Sequence, residues 1–187
     1  MKIQVNQIRP GIVIDYNNSQ WIVLKTQHVK PGKGGAFNQI EMRDIRNGSK
    51  TNVRLRTQTT VEKLNTSEEE FQYLFNDGEK YTFMNPQNFE QIELNKSLIS
   101  ESSIYLKEGI SIKINSIENE PIGISLPETM IFEVIEAEPV VKGQTAASSN
   151  KPAVLENGLR VMVPPFVEQG SKIVVNTSDG TYLKRAD

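Results

Sequence analysis

Phe71-Gln72-Tyr73-Leu74-Phe75-Asn76-Asp77-Gly78-Glu79-Lys80-Tyr81-Thr82-Phe83-Met84 decides how the chain folds. Two aromatic-rich runs flank an Asp-Gly pair, and both of those residues tolerate the positive φ of a tight hairpin turn. Aromatic and β-branched side chains suit a pleated, half-buried surface, so the two runs are predicted strands of one hairpin. The same pattern recurs on the C-terminal side. Residues 112–117 and 122–126 predict a second hairpin around Asn119-Glu120-Pro121, and residues 97–107 between the two hairpins predict a short helix. Further on, Ile131–Ile135 is followed by predicted strands near 159–163, 172–176 and 181–184. Pro164-Pro165, Gly170 and Asp179-Gly180 punctuate them.

Towards the N-terminus, Ile12-Val13-Ile14 follows a Pro10-Gly11 turn, and Asn17-Asn18-Ser19 leads into Trp21-Ile22-Val23-Leu24. Ile40 and Met42 alternate with Gln39, Glu41 and Arg43; after Asn47-Gly48, Val53 and Leu55 alternate with Arg54 and Arg56. Side chains in a strand alternate between the two sheet faces, which predicts Arg43, Arg54 and Arg56 on an outward basic face. Short strands with frequent turns predict an all-β protein of three consecutive small barrels: residues 1–64, 65–127 and 128–187. Five-stranded oligonucleotide-binding barrels suit the later two.

Composition narrows the chemistry. The 187 residues contain no cysteine and a single histidine, His28, which excludes disulfides, Cys-based zinc sites and multi-histidine metal sites. The start, Met1-Lys2-Ile3-Gln4-Val5-Asn6, is too polar for a signal peptide, and no apolar run approaches the ~18 residues of a membrane span. The expectation is a soluble, cytoplasmic protein that is not a conventional enzyme. The net charge of −2 conceals an asymmetry: residues 1–64 carry eleven bases against four acids, 65–127 four against eleven, and 128–187 six against eight. A first third at +7 points towards nucleic acid.

The most unusual segment is Lys30-Pro31-Gly32-Lys33-Gly34-Gly35-Ala36-Phe37. Strands on both sides make it a hairpin loop with Lys33 at the tip between two glycines, which permit close approach to another molecule. Two readings stay open on physical grounds: a projecting cation with little neighbouring bulk, or a solvated loop. A phosphate-cradling nucleotide loop is excluded, because the spacing is wrong and no helix N-terminus follows. His28 reads as a hydrogen-bonded structural residue, and Glu68-Glu69-Glu70 as a solvated face. Tyr73, Phe75 and Tyr81 divide between core packing and stacking on bases. The polar stretch 142–151 is either a linker or an arm towards a partner.

At Lys30–Phe37 the sequence resembles the bacterial elongation factor P family, related to archaeal and eukaryotic translation factor 5A. The likeness extends to Tyr73–Glu79, Phe83-Met84-Asn85 and Phe89-Glu90-Gln91. It continues through Lys151-Pro152-Ala153, Gly158, Val161, Val163-Pro164, Val167 and Gly170, and closes on Gly180, Tyr182 and Arg185. The resemblance implies a KOW/SH3-like barrel and two oligonucleotide-binding barrels, together tRNA-like in shape. It implies a factor that binds the ribosome beside peptidyl-tRNA and restarts ribosomes stalled on consecutive prolines; a monomer is expected. In that role it assists the ribosomal peptidyl transferase without being an enzyme or using a cofactor.

By the same resemblance, Lys33 reaches towards the CCA end of the tRNA and is the target of a modifying enzyme, by lysylation for example. Lys30, Pro31, Gly32, Gly34 and Gly35 frame it. Tyr182 and Arg185 match positions near the anticodon stem-loop; Gly143, Gln144 and Thr145 match a loop that approaches the exit-site mRNA codon. Gln144 departs from the acidic residue usual there, and its amide retains hydrogen-bonding capacity towards bases. Two alternatives are a general single-stranded RNA-binding protein and an elongation-factor-P-like paralogue. A catalytic Lys33 fits poorly, because an exposed tip offers little of the desolvation that activates a lysine.

Overall fold

The computed structural model describes residues 1–140, 143 and 149–186. Sixteen strands among the described residues form three antiparallel sheets, as the turn-punctuated apolar pattern predicts. The first contains β1 (Lys2–Gln4), β2 (Val13–Tyr16), β3 (Ser19–Val29), β4 (Phe37–Asp44), β5 (Lys50–Arg56) and β6 (Thr60–Lys63), in the order β1-β6-β2-β3-β4-β5. The second contains β7 (Ser67–Asn76), β8 (Lys80–Met84), β9 (Gln91–Asn95), β10 (Ser111–Ile117) and β11 (Glu120–Ser125), ordered β11-β10-β7-β8-β9. The third contains β12 (Thr129–Ala137), β13 (Lys151–Leu155), β14 (Arg160–Val163), β15 (Lys172–Asn176) and β16 (Tyr182–Arg185), ordered β14-β13-β12-β15-β16.

The last two sheets therefore share one topology, in which the first strand is central and pairs with the second and the fourth. That connectivity suits a five-stranded Greek-key barrel. The predicted helix after β9 is present as a short turn of α-helix, α1 (Lys96–Ile99), continued by a 3-10 segment to Tyr105. Each sheet closes on its own apolar cluster: Ile14, Val23, Ile40 and Met42 in the first, Phe83 with Tyr73 and Tyr81 in the second, Phe132 with Leu155 and Ile173 in the third.

The turns show how local chemistry sets register. Asn17 and Asn18 both take positive φ (52° and 60°), as do Glu118 and Asn119 (50° and 68°). Each pair forms a two-residue turn of the type whose twist matches the flanking strands. The second hairpin thus turns at Glu118-Asn119, and not around Asn119–Pro121 as the sequence suggests. Pro121 lies inside β11, an edge strand where its missing N–H removes no ladder bond. In the hairpin at residues 71–84 only Gly78 takes positive φ (98°). Asp77 instead accepts the Glu79 and Lys80 backbone N–H groups on its Oδ1, at 2.9 and 2.8 Å.

Contacts also run between sheets. Tyr105, on the 3-10 segment of the middle unit, packs into the third core, 6.2 Å from the Phe132 ring. Asn157 Nδ2 donates to the Ile104 carbonyl at 2.8 Å. Lys107 Nζ sits 4.4 Å above the Phe132 ring and donates to the Ile131 carbonyl and to Glu156 Oε1. Gly180 comes so close that a Cβ there would lie 3.1 Å from the Tyr105 hydroxyl.

The Lys107 hydrogen bond, followed by the Glu133 backbone N–H, holds the Glu156 carboxyl below the ordinary glutamate range. A carboxylate lowered in the folded state adds stability above its unfolded pKa, and this is lost as pH falls through the folded value. Both side chains are about 40% exposed, so screening keeps the effect small. In a carboxyl-resolved NMR titration Glu156 should titrate below the reference value of about 4.3, and Lys107→Met should move it back towards that value. An unchanged midpoint in the variant would remove Lys107 as the cause.

Candidate functional site

β3 and β4 pair in continuous antiparallel register up to Val29 opposite Phe37, with one bulge between Val23 and Lys25. Residues 30–36 close the hairpin. Lys30 and Lys33 are exposed, and Lys33 makes no ion pair among the described residues. Gly34 requires its glycine, with φ at +102°, a conformation that side-chain-bearing residues rarely adopt. Gly32 and Gly35 do not take positive φ, and a Cβ at either would meet nothing within 4 Å. The chain's own packing therefore does not require glycine at those two positions.

The loop's root is tied down. Asn38 is 4% exposed and points inward from β4. Its Nδ2 donates to the Val5 carbonyl at 3.0 Å, so its Oδ1 is left to accept from His28 Nδ1 at 2.9 Å. His28 is thus a structural hydrogen-bond donor, as its isolation in the sequence suggests. Thr57 donates through both its backbone N–H and its hydroxyl to the Ala36 carbonyl, each at 3.1 Å. Sequence reasoning overlooked Asn38; the signal was a polar residue at an inward position of the Asn38, Ile40, Met42 alternation.

Arg54 and Arg56 project outward from β5, as the alternation predicts. The Arg54 guanidinium lies 3.3 Å from the Phe37 ring centroid, and Arg56 pairs directly opposite Phe37. Stacking on a ring restrains a guanidinium while leaving its N–H edge available. Arg56 also lines a groove with Gly35, Ala36, Thr57, Gln58 and Thr59. The loop root and these two cations therefore form one continuous surface.

Arg43 departs from expectation. It lies on the same outward face, yet it is only 6% exposed, because the middle barrel covers that end of β4. Its guanidinium donates to the Ser97, Leu98 and Ile122 carbonyls at 3.0, 3.4 and 3.3 Å. Arg43 is therefore not available to RNA. The period-2 count assigned the correct face but could not reveal that another barrel occupies it.

The other candidates lie on the remaining barrels. Tyr182 is half-buried against the third core, and Arg185 is exposed at the end of β16. Gly143 is exposed with φ at +96°, whereas Gln144 and Thr145 lie outside the described residues. Tyr73 and Tyr81 are core residues; Phe75 is 59% exposed. Glu68, Glu69 and Glu70 are exposed on β7, and Glu68 pairs with Lys113. Among the described residues no group of acids or histidine is placed to hold a metal ion, and no helix is long and apolar enough to cross a membrane.

Comparison with known proteins covers the whole chain. Residues 4–61 match the family described as the elongation factor P KOW-like domain, 66–124 the elongation factor P OB domain, and 130–185 the elongation factor P C-terminal domain. The chain is 49% identical over 187 residues to the elongation factor P of Chelativorans sp., covering 100% of both chains. It is 50% identical over 186 residues to that of Rhodospirillum rubrum, again covering 100% of both. A looser likeness, with a TM-score of 0.41 and 21% identity, is to eukaryotic translation initiation factor 5A from Methanococcus jannaschii. It covers 67% of this chain and 94% of that one.

Replacing Asn38 by Ala would remove one of the two donors to the Val5 carbonyl, which the Ile8 backbone N–H still reaches at 3.2 Å, and would leave His28 without its acceptor. The expected cost is about 0.5–1.5 kcal/mol. Urea unfolding followed by the fluorescence of Trp21, the single tryptophan, measures it, and an unchanged midpoint would count against this tie.

Proposed function

The chain belongs to the elongation factor P family and is a translation elongation factor, and we propose that it binds the ribosome beside peptidyl-tRNA and relieves stalling at consecutive prolines. In this reading Lys33 extends towards the CCA end, and Arg54 and Arg56 engage phosphates behind it. The observation that carries the reading is the pair of glycines, Gly32 and Gly35, that the protein's own packing leaves unconstrained. Bare backbone beside a projecting cation suits close approach by a second molecule.

The chemistry needs no proton transfer from the protein. Proline is a poor nucleophile in this reaction because its ring constrains attack geometry, so the stalled complex is a positioning problem. Ordering two reactants into attack geometry supplies several kcal/mol, up to about 7–11 in favourable cases. A cationic arm contacting phosphate and sugar fixes position without reading sequence. The factor acts in the cytoplasm as an accessory to the ribosomal peptidyl transferase. A modifying enzyme that adds an amine-bearing group to Lys33, as lysylation would, lengthens the arm's reach. The exit-site codon contact of the third barrel belongs to the same reading. The alternative of a general single-stranded RNA binder is weakened by the burial of Tyr73 and Tyr81, which removes two of its three candidate stacking surfaces.

The test is single-turnover peptide-bond formation on ribosomes stalled between two prolines. Lys33→Ala should abolish the acceleration, and a full effect from that variant would defeat the proposal. Arg54→Ala should weaken binding and reduce its salt dependence by about one phosphate contact. The mass of the Lys33 peptide from native cells identifies any attached group.

A further inference from the structure

We propose that Arg43 is a positioning residue that sets the angle of the β3–β4 hairpin on the middle barrel, and through it the place of Lys33. This inference rests on the reading of Lys33 as the functional tip. The geometry begins with an arginine whose three acceptors are all backbone carbonyls of another barrel: Ser97 and Leu98 on α1, and Ile122 on β11. No carboxylate pairs with it among the described residues. Burial of its charge lowers its pKa, yet a guanidinium stays protonated. An ion held this way needs its acceptors in fixed directions, because buried charge without partners is strongly unfavourable.

The surroundings fit the side chain closely. A Cβ on Gly123 would lie 3.3 Å from Arg43 Nη2 and 3.5 Å from Ile22 Cδ1. Gly123 does not take positive φ, so space for its neighbours is what glycine provides there. Beside the guanidinium, Val13 and Ile22 of the first barrel pack on Ile122 of the second, with Leu24, Ile45, Leu64 and Ile117 around them. Lys50 and Glu101 form an exposed ion pair across the same junction at 3.2 Å.

Arg43 and the tip share one rigid element. Six residues of β4 separate Arg43 from Phe37, roughly 20 Å at about 3.3 Å per residue, and the loop extends beyond. A tilt of about 10° over that length moves the root of the loop by roughly 3–4 Å and the tip by more. Orientation effects are sensitive to displacements of about 1 Å, which can cost on the order of 100-fold in rate. The junction can therefore loosen enough to misplace Lys33 while every RNA-contacting side chain remains present.

Arg43→Gln and Arg43→Lys test this, since neither can reach three divergent carbonyls. Spin labels at Gln39, on the outward face of β4, and at Glu118, on the β10–β11 turn, report the hinge in the isolated full chain. Their distance distribution should broaden or shift in both variants while circular dichroism retains the folded spectrum. In the proline-stalled assay the maximal rate at saturating factor should fall by about 10-fold or more, with a smaller change in the half-saturating concentration. Unchanged distances and an unchanged maximal rate in folded variants would overturn the role of Arg43. If Lys33→Ala is as active as the parent protein, the tip reading fails instead; the distance measurement then still decides whether Arg43 sets the angle.

Discussion

A loop of seven residues presents a side chain at a fixed point only if the strands carrying it are themselves fixed. Here the β3–β4 ladder bears that constraint. It runs from Trp21 opposite Asp44 to Val29 opposite Phe37 with a single bulge at Val23–Lys25, so one hairpin reaches from the junction with the middle barrel to the root of the Lys33 loop. Each barrel has only about sixty residues, a size at which folding buries a modest share of the chain's surface. Apolar burial between barrels supplements three small cores: Ile122 against Val13 and Ile22 on one side, Tyr105 against Phe132 on the other. Stability and placement of the arm thus depend on the same junctions.

The two buried cations among the described residues follow a common pattern. Arg43 donates to carbonyls across the first junction, and Lys151, 9% exposed, donates to the Glu138 carbonyl at the foot of the segment that follows β12. The ion pairs among the described residues are exposed instead, with side chains 38–77% accessible, and such pairs contribute little each. Neutral carbonyl acceptors satisfy a buried cation without cancelling its charge. The first barrel therefore keeps its excess of bases, and the acids of the middle barrel remain on the surface. A fold in which Arg43 met a buried carboxylate would lose part of the first barrel's positive field.

The sequence disclosed more of the fold than of its junctions. The hairpins at 71–84 and 112–126 were legible because their strands carry aromatic and β-branched residues between turn formers. β1, β6 and β9 were not, because strands of three to five residues with polar composition are held by their neighbours and not by propensity, and β13 was hidden by Pro152 within it, a residue that argues against a strand. The Lys33 loop could be read directly, since a lysine flanked by glycines between two strands has few arrangements. Arg43 could not. Alternation fixes which face a side chain occupies, but whether that face meets water or another barrel depends on contacts 54 to 79 residues away in sequence. Gly123 was silent for the same reason.

The glycines at 32 and 35 bear on what the loop is for. Glycine in an ordered segment loses more conformational entropy than any other residue, so a loop selected only to close β3 on β4 would gain from alanine wherever φ allows it. Gly34 cannot take that exchange, because its φ is positive; Gly32 and Gly35 can, since a Cβ at either meets only open space. Under the proposed reading, the constraint that keeps them bare lies outside the chain. Pro31 stiffens the ascending limb by fixing φ, and the Thr57 bonds to Ala36 hold the descending one. Stiff limbs below and bare backbone at the tip are opposite requirements, and they are reconciled if the tip must pass through a narrow space and arrive with Lys33 in front.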